Sequence, residues 1–302
     1  MLKKADFKEN EASTAIVIGS GFGGLAAAIR LSCKGYQVVV LEKLDAPGGR
    51  AYVHRRDGYT FDAGPTIITA PFLLEELWEL CGKKMSDDVD LRLMDPFYRI
   101  RFDDGTHFDY TGDPARMRAE VAKFAPEDLP GYERFLAEAE KCYKLGFQEL
   151  SSTAFDSIGD LVRAIPSMIK MRAWESIYKL VARHLKNDKI RQVMSFHPLL
   201  IGGNPFSVTA VYALINSLER RHGVHSAMGG TGSLIKGLAG LLAGRGVQIR
   251  LNSEVKRIEV VDGKAQGVTL ANGEFIPADI VVSNADAAWT YQKLIAPEDR
   301  KV

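Results

Sequence analysis

Ala15-Ile16-Val17-Ile18, then Gly19-Ser20-Gly21-Phe22-Gly23-Gly24, then Leu25 to Leu31, is the stretch on which the fold of this chain turns. The first four residues are a short aliphatic run of the kind that makes a buried strand, and Leu25 to Leu31 reads as a helix. Gly35 supplies a helix stop, and Val38 to Leu41 forms a second buried strand that ends at Glu42. Strand, glycine turn, helix and strand make one βαβ unit with an acid about 20 residues beyond the turn. In such a unit Gly19 allows the tight turn, Gly21 lets backbone approach a pyrophosphate, and Gly24 lets helix and strand pack closely. The helix N-terminus presents free N–H groups and partial positive charge to the phosphates. Glu42 accepts both hydroxyl protons of an adenosine ribose and repels a 2′-phosphate. A glycine pattern alone also fits a plain structural turn; with strand, helix and acid in register it indicates a dinucleotide site.

Composition narrows the rest. The 302 residues carry 39 basic and 38 acidic side chains, with 46% hydrophobic and 25% charged content. That is too apolar for disorder and is the length of about two domains. A net charge of +1 argues against nucleic-acid binding by bulk charge. Cys33, Cys81 and Cys142 lie far apart in sequence, so neither a zinc site nor a disulfide framework is indicated, and a reducing cytoplasm fits. The N-terminus (Lys3, Lys4, Asp6, Lys8, Glu9, Glu11) lacks the apolar run of a signal peptide. No apolar run reaches the ~20 residues of a membrane span. The histidines show no HxxxH or HExxH spacing, so no metal site is expected, and no GxSxG motif supports serine hydrolysis.

Beyond Glu42 comes Pro47-Gly48-Gly49-Arg50-Ala51. Gly49 admits close backbone approach, and Arg50 offers a guanidinium fork to phosphate or ribose oxygens; a plain surface turn with a solvated arginine also fits. This loop resembles the one that follows the ribose-binding acid in flavin oxidoreductases of the amine oxidase and phytoene desaturase superfamily. Gly58-Tyr59-Thr60-Phe61-Asp62-Ala63-Gly64-Pro65-Thr66-Ile67-Ile68 resembles the segment, including Thr66, that bacterial-type phytoene desaturases place against the flavin ring. The resemblance continues through Asp95 to Arg99, Ser195 to Phe206, Arg221 to Val224, Gly229 to Gly232 and Val282 to Asp286. It implies FAD as cofactor, and it places Val255 where family members meet the adenine with backbone. The residues alone say only that Val255 begins a buried strand.

Leu91 to Asp109 alternates and turns at Asp103-Asp104-Gly105, an antiparallel hairpin in a layer apart from the nucleotide sheet. Pro114 to about Glu219 is mostly helical, broken at Pro126, Pro130, Pro166, Pro198 and Pro205. Gly232 to Leu242 is a helix. Val247 to Leu251, Val255 to Val261, Ala265 to Leu270 and Ile280 to Ser283 return to strand. The expected fold is α/β. A Rossmann-like FAD-binding domain (1–90) is interrupted by an α+β substrate domain (91–222) with a helical, membrane-facing part, and resumes over 223–302. Family members run on for well over a hundred residues past a segment like Asn284 to Val302, with a late glycine-rich motif that clamps the flavin. Nothing here resembles that motif, so the C-terminal part of the family fold is expected to be absent. The chain alone is then expected to bind FAD weakly or not at all, without turnover.

Leu161 to Arg191 holds eight basic residues (Arg163, Lys170, Arg172, Lys179, Arg183, Lys186, Lys189, Arg191) against Glu175 and Asp188. Trp174, Ile177, Tyr178, Val181 and Leu185 repeat at helical spacing. Two readings fit: a helix packed on the core with a solvated basic face, or an interfacial helix docked on anionic lipid. The second implies peripheral attachment to the cytoplasmic membrane. Phe196, His197, Leu199 and Phe206 are candidates for lining a substrate channel, although His197, among apolar residues, also reads as a satisfied core histidine.

The resemblance further implies desaturation of phytoene, or a related C40 or C30 isoprenoid, in carotenoid biosynthesis. Hydride passes to the flavin, a proton leaves the neighbouring carbon, and electrons go on to a quinone or oxygen. The cation left by hydride loss is allylic, so no strong protein base is required and no catalytic acid or base is named. Three rivals share these motifs. They are an FAD-dependent amine oxidase, another flavin carotenoid or retinoid enzyme (ketolase, isomerase, saturase), and a non-catalytic prenyl-lipid chaperone.

Overall fold

The computed structural model describes residues 13–151 and 153–300; the charged run Lys3 to Glu11 lies outside them. In chain order the strands and helices are β1 (Thr14–Ile18), α1 (Phe22–Cys33), β2 (Gln37–Leu41), β3 (Val53–Arg56), β4 (Tyr59–Asp62), α2 (Phe72–Leu80) and β5 (Leu91–Leu93). There follow β6 (Tyr98–Arg101), β7 (His107–Tyr110), α3 (Pro114–Phe124), α4 (Leu129–Cys142), α5 (Ile158–Lys170), α6 (Ile177–His184), α7 (Asp188–Ser195), α8 (Leu214–His222) and β8 (His225–Ala227). The chain closes with α9 (Thr231–Gly244), β9 (Gln248–Arg250), β10 (Val255–Val261), β11 (Lys264–Leu270), β12 (Phe275–Pro277) and β13 (Ile280–Ser283). Two compact units result, one from Met1–Arg92 with Ser226–Val302, the other from Leu93–His225.

The first unit is built on a parallel sheet in the order β13-β1-β2-β9. Parallel sheets are buried on both faces, which is why β1 and β2 are aliphatic at almost every position. Ala15, Val17, Val38 and Val40 point to one side, into a core with Leu25, Ile29, Trp78 and Leu238. Ile16, Ile18 and Leu41 point to the other, against Val255, Ile258, Val268 and Leu270. That second layer is the antiparallel sheet β10-β11-β12. The sequence expectation of a βαβ unit rejoined by later strands is met: β9 and β13 flank β2 and β1 after the insert.

In the second unit β6 and β7 pair antiparallel, Tyr98 opposite Tyr110 and Arg101 opposite His107, with Asp103 to Gly105 at the turn. Helices pack on this hairpin around Phe108, Tyr110, Met117, Tyr132, Phe135, Ile177 and Val193. One expectation is corrected. Pro166 does not break a helix but sits inside α5. The carbonyl that loses its partner there belongs to Val162, an exposed residue, so the loss falls on the solvent side of the helix. For Trp174 to Leu185, burial favours the first of the two readings. Trp174 lies in the turn before α6, while Ile177, Val181 and Leu185 are fully buried in the core, so that stripe is the packed-helix reading.

Candidate functional site

The carboxyl end of β1 is a junction of three segments. Gly19 has φ +91° and its N–H donates to Leu41 O at 2.8 Å, which folds the turn back over β2. Gly48 N–H donates to Ser20 O at 3.0 Å, and Asn284 N–H donates to Ile18 O at 2.9 Å. Gly21 caps α1 with no side-chain hydrogen bond at the helix end and no acid in the first turn. A Cβ on Gly24 would lie 1.9 Å from Gly19 O, so the helix can start this close to the strand only with glycine there. Gly19 thus makes the turn, and Gly24 lets helix and strand pack closely.

Glu42 follows β2 and is only 4% exposed. Its Oε2 accepts from Ser20 N–H at 2.8 Å and from Ser20 Oγ at 2.7 Å, and its Oε1 accepts from Leu44 N–H at 3.0 Å. A buried carboxylate must be hydrogen-bonded to remain there, and these three donors fix its direction while leaving lone pairs for further donors. Ser20 is a residue that sequence reasoning missed. The one available signal was a hydroxyl between the two glycines of a loop that also carries a buried acid.

Gly49 and Arg50 lie in a turn pressed onto the glycine loop. Gly21 and Gly48 form an isolated parallel bridge, and a Cβ on Gly49 would lie 3.2 Å from Gly21 Cα. The Arg50 side chain is exposed, and its guanidinium makes no hydrogen bond or ion pair with any described residue. Thr66 is exposed at the end of a loop that passes over this turn, since a Cβ on Gly64 would lie 2.3 Å from Arg50 O. Thr231 pins that loop: its N–H donates to Asp62 Oδ2 at 3.2 Å and its hydroxyl to Pro65 O. Val255 opens β10 with its side chain buried between the two sheets.

The four substrate candidates of the second unit separate. His197 is fully buried; its Nε2 meets Glu219 Oε2 at 3.0 Å, and Glu219 Oε1 accepts from Tyr98 OH at 2.7 Å. Burial first and Glu219 second hold the Tyr98 hydroxyl far above its ordinary pKa, so it remains a donor. Asn216 Nδ2 lies 3.5 Å from His197 Nδ1, and Asn216 Oδ1 accepts from Tyr110 OH at 3.0 Å. His197 is therefore the satisfied core histidine. Phe196 is half-buried with its ring centroid 4.3 Å from His197, whereas Leu199 and Phe206 are 59% and 64% exposed. His197, enclosed in the core, is not on an exposed surface with Leu199 and Phe206. Among the described residues there is no group of three or more His, Cys, Asp or Glu able to hold a metal ion. No helix of those residues is long and apolar enough to cross a membrane.

The sequence pattern of the flavin containing amine oxidoreductases matches residues 22–297. The chain belongs to that family. It is 45% identical over 292 residues to the neurosporene-forming phytoene desaturase of Cereibacter sphaeroides, covering 97% of this chain and 56% of that one. It is 46% identical over 280 residues to the lycopene-forming phytoene desaturase of Pseudescherichia vulneris, covering 93% and 57%. The chain thus spans about half the length of the curated relatives it matches. Among solved structures, a Pyrococcus furiosus protein superposes with TM-score 0.66 at 20% identity over 94% of this chain and 62% of its own, a likeness of fold. The cofactor of a flavin containing amine oxidoreductase fits the residues found here. The glycine cradle has no room for a Cβ at Gly24, and Glu42 is aimed by Ser20. Arg50 has its guanidinium free.

Proposed function

We propose that this chain takes part in FAD-dependent desaturation of phytoene, or of a similar C40 or C30 carotenoid precursor. The identity with phytoene desaturases over nearly its whole length carries that reading, and the dinucleotide cradle supports it. Gly19, Gly21, Gly24 and the α1 N-terminus hold the pyrophosphate, Glu42 the adenosine ribose, and Arg50 an adjoining phosphate or ribose oxygen. Gly49 brings backbone up to the cofactor, Thr66 and its loop lie toward the flavin ring, and Val255 lies toward the adenine. When bound, the flavin supplies two-electron acceptance, and a quinone or oxygen takes the electrons onward. The chain's own part is to bind, orient and exclude water. No described side chain is required as a strong base, because the carbon next to an allylic cation gives up its proton readily.

A substrate dissolved in a bilayer needs a face that meets the bilayer, and α5 is the face that supports this. Ile158, Leu161, Val162, Ile165, Met168 and Ile169 are all exposed on it, Ile158 at 81%. Their spacing puts them on one side of the helix. Trp174, 65% exposed, and the exposed Lys170 and Lys179 follow in chain order. An apolar helix face with basic and tryptophan neighbours suits the surface of an anionic membrane, here the cytoplasmic one. The test adds the protein, expressed from its complete coding frame, to phytoene-loaded liposomes with FAD and a quinone. The expected result is new, red-shifted, structured polyene absorption. A flavin-loaded protein that leaves the spectrum unchanged overturns the reading and points to another carotenoid or to amines.

A further inference from the structure

The chain leaves β1 toward β2 on one side, while β13 pairs with β1 on the other. In an open parallel sheet, such a reversal of strand order opens a crevice beyond the carboxyl ends of the strands, and ligands bind in it. One wall of this crevice is the Gly19 to Gly24 turn. The other begins with Asn284, the first residue past β13, whose N–H is held by Ile18 O.

The Asn284 side chain reaches across the glycine turn. A Cβ on Gly23 would lie 2.4 Å from its Oδ1, and a Cβ on Gly21 would lie 3.3 Å from its Nδ2. On the far side of Gly21 stand Gly48 O and Gly49 Cα, at 3.7 and 3.9 Å from that same Cβ position. Gly23 is not one of the three glycines the turn, the phosphate and the packing require. It lies in the first turn of α1 without a positive φ, where alanine is the better helix former by about 1 kcal/mol. What glycine provides there is room for a carboxamide. That carboxamide is exposed and makes no hydrogen bond to any described residue. It brings two uncharged N–H donors to the point where backbone comes closest to a pyrophosphate.

We propose that Asn284 is a phosphate-binding residue of the dinucleotide site. Nδ2 donates to a pyrophosphate oxygen held over Gly21, and Gly23 is glycine to admit the side chain. This rests on the FAD reading and adds to it a residue from the far end of the chain. The probe is ADP, which carries the pyrophosphate without the flavin ring, titrated calorimetrically into the flavin-free protein from its complete coding frame. Asn284→Ala is expected to weaken ADP by about tenfold, the loss of one hydrogen bond to a charged group, with melting unchanged. Asn284→Asp loses more, because a carboxylate there repels the phosphates; a role in packing alone would not separate the two variants. Gly23→Ala weakens ADP about as much as Asn284→Ala, yet adds nothing in the double variant, where the obstructing carboxamide is gone. Asn284→Ala and Asn284→Asp that bind ADP within about twofold of the parent overturn the proposal while the dinucleotide reading stands. A parent protein that does not bind ADP overturns both.

Discussion

Replacing His197 by alanine removes one half of a pair that is 0% exposed on both sides and leaves Glu219 Oε2 without its partner at 3.0 Å. Tyr98 continues to hold Oε1, but nothing else described approaches Oε2. Breaking one partner of a buried pair costs about 3–5 kcal/mol, because the remaining charge stays out of water uncompensated. A domain has roughly 5–15 kcal/mol in all, so the substitution removes a large share of the total. With a urea slope of about 2 kcal/mol/M, the unfolding midpoint falls by roughly 1.5–2.5 M. Glu219→Gln keeps a carbonyl for Tyr98 and gives His197 an N–H, so it costs less, about 1–2 kcal/mol. Leu199→Ala, on an exposed side chain, stays within about 0.5 kcal/mol. The assay is urea unfolding followed by far-UV circular dichroism on the three variants. A His197→Ala loss below about 1 kcal/mol refutes the reasoning, because an imidazole so cheaply removed would not be the partner of a buried carboxylate.

Three further outcomes are expected. Ile165→Glu with Ile169→Glu on α5 should sharply reduce flotation with anionic vesicles while leaving the melting temperature in place; undiminished flotation removes α5 as the docking face. The Cys33 and Cys81 sulfurs lie 3.9 Å apart, against about 2 Å in a disulfide. A diazene oxidant should therefore close an intrachain 33–81 bond, each thiol giving its hydrogen to the diazene. Burial pushes the Cys81 thiol up, so closure should quicken as pH rises above neutral; Cys142, pushed up to about 12 by burial, should stay unmodified. No loss of two hydrogens in the mass spectrum would count against this geometry. Finally, burial holds both His184 and His222 below their ordinary value of 6.5, with Arg221 adding to the effect at His222. The unfolded chain takes up these protons first, so their contribution is complete above pH 6.5 and is lost as pH falls through the lower folded values. Melting temperature should drop on acidification from pH 7.5, and His184→Gln with His222→Gln should flatten that drop; equal slopes would contradict it.

What was legible in the sequence was whatever the chain writes locally. The β1–α1–β2 unit is carried by one contiguous run, and each strand of the rejoining sheet has its own aliphatic signature, so fold and fingerprint could be read without contacts. Periodicity, by contrast, records only that one side of a helix is apolar and not what covers it. Trp174 to Leu185 and Leu161 to Ile169 carry the same kind of pattern, yet Ile177 and Val181 are core while Ile165 and Ile169 are exposed. Which stripe is covered is decided by the hairpin β6–β7 and the neighbouring helices, at sequence distances no local pattern encodes. Pro166 shows the same limit from the other side: a breaker is tolerated where the orphaned carbonyl falls on the solvent side of the helix. The site residues divide in the same way. Gly19, Gly21, Gly24 and Glu42 stand together in one local run, so their spacing could be read directly. Ser20 acts through a carboxylate 22 positions away, and Cys33 meets Cys81 across 48. Asn284 reaches Gly23 only because β13 returns beside β1 after the whole insert, so its place over the turn is a property of the sheet order. The three glycines that spacing explains and the one it does not, Gly23, therefore belong to a single arrangement. Gly19 and Gly24 set the turn and the helix start, and Gly23 leaves room for a side chain that the far end of the chain delivers.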